Sequence, residues 1–186
     1  MPLLAELNEM RNFVRDNPGS FDASIDRIVS ILQKYDIKHA LAGALAQAHY
    51  VEDPRTTKDV DIAIVTDMHL DSIALMLSNY GYKKKDIYRS DTAILESLVT
   101  VDPSGMRVDL LSVPSFMLYN SEIVPGLTVP VVNRNAVAAM KYLASQSRFA
   151  PEFKQHRYMS DYKELLETGG AVQHDVELYL SMYRRE

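Results

Sequence analysis

The 186-residue chain has no cysteine. That excludes a disulfide framework, a thiolate metal site and a cysteine nucleophile, and it accords with a reducing compartment. No run of about 18 apolar residues is present, so no helix is expected to span a bilayer. Residues Met1 to Leu7 lack a basic stretch followed by an apolar one, so no secretory signal is read there, and a cytoplasmic location without membrane partners is expected. Basic residues are in deficit, with a formal net charge of −5. This argues against a sheath-like nucleic-acid binder, whose surface must neutralise phosphates. It leaves room for a small phosphorylated substrate that carries its own Mg²⁺. There is no internal repeat and no low-complexity tract. A hydrophobic content of 47% is enough for one real core, with space for a small helical extension.

The most informative stretch that is present runs from Arg55 through Thr56, Thr57 and Lys58 into Asp59-Val60-Asp61-Ile62-Ala63-Ile64-Val65. A polar, basic turn becomes an apolar strand. On a strand, residues two apart share a face, so Asp59 and Asp61 project together, about 6–7 Å apart along the backbone. Val60 and Ile62 face the core. Two like charges at that spacing repel unless water or cations lie between them.

The remaining pattern alternates helices and strands. A short helix is expected over residues 1–16 and an amphipathic one over 22–35, carrying Ile25, Ile28, Val29 and Leu32, with Asp22 or Ser24 able to cap it. His39 to Ala42 reads as a buried strand running through Gly43 into a helix over 44–50. Such a junction presents backbone N–H groups, which suit phosphate oxygens and also serve simple turn chemistry. After the 58–65 strand comes a helix over 68–79, with Ile73, Leu75, Met76 and Leu77 inward and Thr66 or Asp67 as cap. An extended segment follows at 82–85. Residues 93–113 read as an antiparallel hairpin around Asp102-Pro103-Ser104-Gly105. Asp109, set between Val108 and Leu110, marks either a solvent-facing edge or a site. Leu127 to Val132 reads as a further strand. Helices are expected over 134–147, capped by Asn133 or Asn135, over 155–167, and over 173–184. The fold class is α/β (α+β), a mixed sheet with flanking helices and a C-terminal helical cap. Its parts are an N-terminal helical extension (1–21), an α/β core (22–132) and a C-terminal helical region (133–186).

Three carboxylates on neighbouring strands can hold two divalent metals, and oxygen ligands suit Mg²⁺. The segments Ala42-Gly43-Ala44, Arg55 to Asp61 and Arg107-Val108-Asp109 together resemble the nucleotidyltransferase superfamily typified by DNA polymerase β. Gly126 to Val132, Ala138 to Ala144, Arg148 and Asp161-Tyr162 resemble its AbiEii-like branch of toxin–antitoxin and phage-defence proteins. The likeness spans about residues 25–167. It implies a polymerase β-like nucleotidyltransferase core that transfers a nucleoside monophosphate from an NTP to a hydroxyl of RNA (tRNA included), protein or a small molecule. It implies two Mg²⁺ ions, with Mn²⁺ as a substitute, held by Asp59, Asp61 and Asp109. These three are the catalytic residues by the same token, Asp109 helping to deprotonate the acceptor. Gly43 and Ala44 would face the triphosphate, with Arg55, Thr57, Lys58 and Lys141 as further nucleotide contacts. A partner protein of a toxin–antitoxin pair is also implied. The family usually has Gly-Gly or Gly-Ser at the turn. Gly43-Ala44 carries no hydroxyl, and Thr57 is a substitute donor.

Bland readings stand beside these. Asp59 and Asp61 also suit a solvated strand entrance. Lys141 suits a phosphate contact or a structural pair with Asp161. Arg148, Lys154, His156 and Arg157 form a basic patch that is either solvated or meets an acceptor. His39 and His49 read as structural, and Tyr158, Tyr162, Tyr179 and Tyr183 as core or interface. A non-catalytic module acting by nucleotide or partner-protein binding is the main functional rival. A sugar-nucleotide glycosyltransferase is a more distant one, since those enzymes also use Asp-x-Asp with a metal.

Overall fold

The computed structural model describes residues 21–88, 96–147 and 150–184. The expected helix over 1–16, the start of the hairpin at 93–95 and Arg148 lie outside them. The first described helix, α1 (Phe21–Lys34), buries Phe21, Ile25, Ile28, Val29 and Leu32 along one face, the stripe its periodicity predicts. Asp22 and Ser24 lie inside its first turn. Ser24 donates to Asp102, 78 residues away, at 2.8 Å. The helix ends where Asp36 takes a left-handed φ of 53°, and Ile37 N–H closes on the Leu32 carbonyl at 3.0 Å.

Five strands make one mixed sheet: β1 (Lys38–Leu41), β2 (Asp59–Val65), β3 (Lys83–Tyr88), β4 (Glu96–Val101) and β5 (Arg107–Ser112), in the order β1-β2-β5-β4-β3. Only the β2–β5 pair is parallel. Val60, Ile62, Ile64, Leu98, Val108 and Leu110 are fully buried. Each such side chain contributes roughly 1.5–3 kcal/mol by leaving water. The β4–β5 hairpin forms around Asp102-Pro103-Ser104-Gly105, as its turn residues predict. At the far edge, β3 exposes Lys83, Lys84 and Lys85, charges that discourage further strand pairing.

Helix α2 (Gly43–Ala48) follows β1 directly, and α3 (Leu70–Ser78) packs on β3 and β4. The last three helices are α4 (Arg134–Ser145), α5 (Glu152–Glu167) and α6 (Gln173–Tyr183). Helix α4 packs on α2, α5 and α6, so it joins the helical cap to the sheet.

Several expectations need correction. Leu127–Val132 is not a strand: it makes a single parallel bridge, Val131 to Leu41, and an antiparallel one to Glu122. Pro130 has no N–H to extend a ladder, although its carbonyl accepts from Leu41 N–H at 2.7 Å. Leu75 faces outward, 70% exposed. Helix α3 is preceded by His69 without a side-chain cap, while the Thr66 hydroxyl accepts from Met68 N–H within the loop. Of the two asparagines expected as caps of α4, Asn133 is the cap, accepting from Ala136 N–H at 3.0 Å, and Asn135 lies inside the first turn. Helix α5 starts at Glu152, because Pro151 can lead a helix without needing an N–H donor. Tyr158, expected inside, is half-buried.

Candidate functional site

The parallel pairing of β2 with β5 builds the site. In register, Asp59 lies opposite Arg107 and Asp61 opposite Asp109. Registered residues on adjacent strands share a face and stand about 4.8 Å apart. Three carboxylates and one guanidinium therefore form a two-by-two block on one face of the sheet. Val60, Ile62, Val108 and Leu110 hold it from behind, fully buried on the opposite face.

Gly43 borders this block. It opens α2 at a φ of +61°, and a Cβ added there would land on the Asp61 carboxylate. Glycine is therefore required twice, by its backbone conformation and by the approach of Asp61. Ala42 N–H donates to the Asp61 carbonyl at 2.9 Å, locking the junction to β2. The side-chain face of Gly43 is thus filled by Asp61. Ala44 is buried as well.

Each acidic group has a distinct setting. The Thr57 hydroxyl donates to Asp59 Oδ1 at 2.5 Å, so its proton serves the carboxylate. Burial, then the negative charges of Asp59 and Asp109, push Asp61 up to about 7, against the pull of Lys141 and Arg107. Burial also raises Asp109, opposed by its hydrogen bonds to Arg107. That contact is bidentate: Arg107 Nε reaches Oδ1 at 2.9 Å and Nη2 reaches Oδ2 at 2.6 Å. The Asp109 bonds and nearby carboxylate charges hold the guanidinium firmly protonated.

The helical cap supplies the remaining charges. Lys141 Nζ donates to Asp161 Oδ2 at 2.6 Å, both side chains buried, and Arg55 Nε reaches the same oxygen at 3.2 Å. Lys141 is thus in the structural pair and also near enough for its charge to act on Asp61. Its ammonium lies 5.7 Å from the centre of the Tyr158 ring. Gln47 of α2 donates to Glu164 of α5 at 2.7 Å, a second tie between cap and core. Lys58 is exposed. Of the basic patch, Lys154 is half-buried and its charge is felt by Asp109, while His156 and Arg157 are exposed.

The residue beside the acids that composition and spacing did not single out is Arg107; Tyr158 was read as core or interface and Lys154 as part of a basic patch, and the structure sets both near the acidic block. Arg107 had a legible signal: it stands two residues before Asp109 on a strand, the same-face spacing that links Asp59 to Asp61.

Asp59 and Asp61 fit a divalent cation. They are adjacent oxygen donors, and the raised proton affinity of Asp61 marks an acid that lacks a full counter-charge. Asp109 fits less directly, because Arg107 takes both its oxygens. Accordingly, among the described residues no group of three acidic or histidine side chains stands arranged to hold a metal ion.

No family model and no curated protein matches the chain. Solved structures do. A crystal structure of ANT(2")-Ia in complex with adenylyl-2"-tobramycin superposes with a TM-score of 0.55 at 12% identity, covering 87% of this chain and 95% of that one. A solution structure of the antibiotic-resistance factor ANT(2'')-Ia gives a TM-score of 0.55 at 11% identity, covering 87% and 89%. At such identity the likeness concerns the fold alone: this chain shares the fold of those two structures, with its acidic block on the parallel pair of its sheet.

Proposed function

We propose that the chain is a nucleotidyltransferase that moves a nucleoside monophosphate from an NTP to an acceptor hydroxyl. The observation that carries this reading is the meeting of Asp59, Asp61 and Asp109 on one face of β2–β5 beside Gly43, within a nucleotidyltransferase fold. In the reaction the acceptor oxygen forms a bond to the α-phosphorus, the α–β anhydride breaks, and pyrophosphate leaves. Asp109 is the group to take the hydroxyl proton. Asp59 and Asp61 hold the divalent cation, Mg²⁺ or Mn²⁺. When bound, that ion supplies charge neutralisation at the phosphates. Arg55, Lys58 and Lys141 bring positive charge to the nucleotide side, and the Gly43-Ala44 backbone lines it. ANT(2")-Ia was solved with an adenylylated aminoglycoside, which supports small hydroxyl compounds as one acceptor class beside RNA and protein.

The test is incubation with α-labelled NTPs, Mg²⁺ and acceptors of each class, alongside Asp59→Ala and Asp61→Ala. Label should reach one acceptor class with the wild type and fail to do so with either variant. Label transfer that survives both substitutions contradicts the reading.

One observation favours a second reading, a binding module without turnover. Ala44 has no hydroxyl, and the Thr57 hydroxyl is given to Asp59, so no hydroxyl donor remains at the turn. Such a module would act by holding a nucleotide or a partner protein, as in the toxin–antitoxin pairs its sequence resembles. Nucleotide binding without label transfer to any acceptor class is its expected outcome.

A further inference from the structure

Helix α5 crosses the acidic block in a definite direction. Lys154, Tyr158 and Asp161 stand at i, i+4 and i+7, on one face of the helix. Asp161 holds the nucleotide-side cations Lys141 and Arg55, at 2.6 and 3.2 Å. Tyr158 lies where the charges of Asp61 and Asp59 act on it, and Lys154 where its own charge acts on Asp109. Lys141 and Arg55 are thus offset by Asp161. The half-buried Lys154 has no ion-pair or hydrogen-bond partner for its ammonium among the described residues.

Arg107 adds a second open cation on the Asp109 side. Its Nε and Nη2 meet Asp109 at 2.9 and 2.6 Å, while Nη1 has no partner among the described residues, and the side chain is 44% exposed. The sheet carries positive charge further out. Arg107 lies in register with Val101, and Val101 with Lys83 on the edge strand β3. Registered neighbours share a face, so Lys83 stands about 10 Å from Arg107 across two strand spacings. Lys83 is exposed, and its ammonium also has no partner among the described residues. Asp86, in register with Val99, is the acid beside them, and its Oδ1 accepts from Ile87 N–H at 2.8 Å. Gly43 places the nucleotide on the β1–β2 side of the block. An acceptor that reaches Asp109 therefore comes over β5, β4 and β3, past these cations.

We infer that the acceptor carries a phosphate close to its reacting hydroxyl, and that Lys154 and Arg107 receive this phosphate while the hydroxyl meets Asp109. The inference rests on the nucleotidyltransferase reading and narrows its acceptor class. Phosphate suits the two groups, because guanidinium and ammonium N–H give charge-assisted bonds to its oxygens. A polyamine such as an aminoglycoside would instead bring ammonium groups against Lys154, Arg107 and Lys83, and like charges brought together oppose binding. The bond exchange is unchanged: the acceptor oxygen joins the α-phosphorus, its proton goes to Asp109, and pyrophosphate leaves. The end of a nucleic-acid chain and a small phosphorylated hydroxyl compound share the required chemistry.

The test gives the full chain α-labelled NTPs, Mg²⁺ and one of four acceptors: a hexaribonucleotide with a free 3′ hydroxyl, ribose 5-phosphate, ribose or tobramycin. Label should reach one or both of the phosphate-bearing acceptors roughly tenfold faster than ribose or tobramycin. Which of the two is labelled separates a chain end from a small compound. Lys154→Gln should raise the KM for that acceptor about fivefold and leave the KM for NTP unchanged. Lys58→Gln, on the nucleotide side, should do the reverse. Label that reaches ribose or tobramycin as readily would overturn the inference and leave the nucleotidyltransferase reading standing. So would an unchanged acceptor KM in a Lys154→Gln protein that circular dichroism shows to be folded, or label that passes only to a protein. Label on no acceptor of any class would count against the nucleotidyltransferase reading itself, and the inference would fall with it.

Discussion

At the scale of residues, the contact between Gly43 and Asp61 decides whether the site can form. Gly43→Ala should destabilise the chain by about 3 kcal/mol or more, because a methyl group meets a carboxylate at a positive φ. Gly126 shares the positive φ, at +88°, but faces open space. Gly126→Ala should therefore cost only about 1 kcal/mol of backbone strain. Adding Asp61→Ala to Gly43→Ala should recover part of the larger loss, and thermal denaturation of the set measures this coupling. Asp61 also makes stability depend on pH. Its folded-state pKa of about 7 lies above that of an unfolded aspartate. Its stabilising protonation is thus complete below about pH 4 and is lost as pH rises through 7. In chelator-treated protein, Asp61→Asn should match wild type at pH 4 and exceed it at pH 8 by on the order of a few kcal/mol, read from melting curves at the two pH values.

At the scale of elements, the hairpin that delivers Asp109 hangs on one buried acid. Asp102 Oδ1 accepts from Ser104 N–H, the Ser104 hydroxyl and Met106 N–H, while Oδ2 accepts from Ser24 and Arg27 of α1. Burial alone would raise its pKa, but these hydrogen bonds outweigh burial and hold it below the usual carboxylate range. Asp102→Ala should cost about 2–4 kcal/mol at neutral pH. The penalty should shrink as pH falls through the folded-state pKa, where the wild type loses the same contribution. Chemical denaturation at pH 7 and pH 3 checks both points. This hairpin was legible because Asp-Pro-Ser-Gly is a strong turn between two apolar runs. Strand β2 was legible because Val60 and Ile62 alternate with Asp59 and Asp61. Leu127 to Val132 misled because it is apolar like a strand, while Pro130 removes a donor that a ladder needs. The register of Asp61 against Asp109 was not legible. Parallel strands 48 residues apart in sequence carry no local signal of their alignment.

At the scale of the molecule, the helical cap and the sheet are tied through shared charges. Asp161 of α5 accepts from Lys141 of α4 and from Arg55 of the loop that leads into β2. Removing it strands a buried ammonium. Asp161→Ala should cost about 3–5 kcal/mol, and Lys141→Met in the same background should recover part of that in thermal denaturation. The sequence left Lys141 undecided between phosphate and Asp161, because a lysine among apolar helix residues looks the same in both roles. The fold shows it paired, yet within electrostatic range of Asp61, so the cap can influence the acidic block without any hinge. The mixed sheet with helices on it was readable from composition and periodicity, and the spacing of Arg107 to Asp109 was there to be read, but its register with Asp59 became visible only once β2 and β5 were aligned. The most direct test of the central claim is calorimetric titration of the four Mg–NTPs into wild type and Asp61→Ala. The account predicts that at least one Mg–NTP binds the wild type and that the variant loses this binding. Absence of binding for all four, or equal binding to the variant, would contradict it.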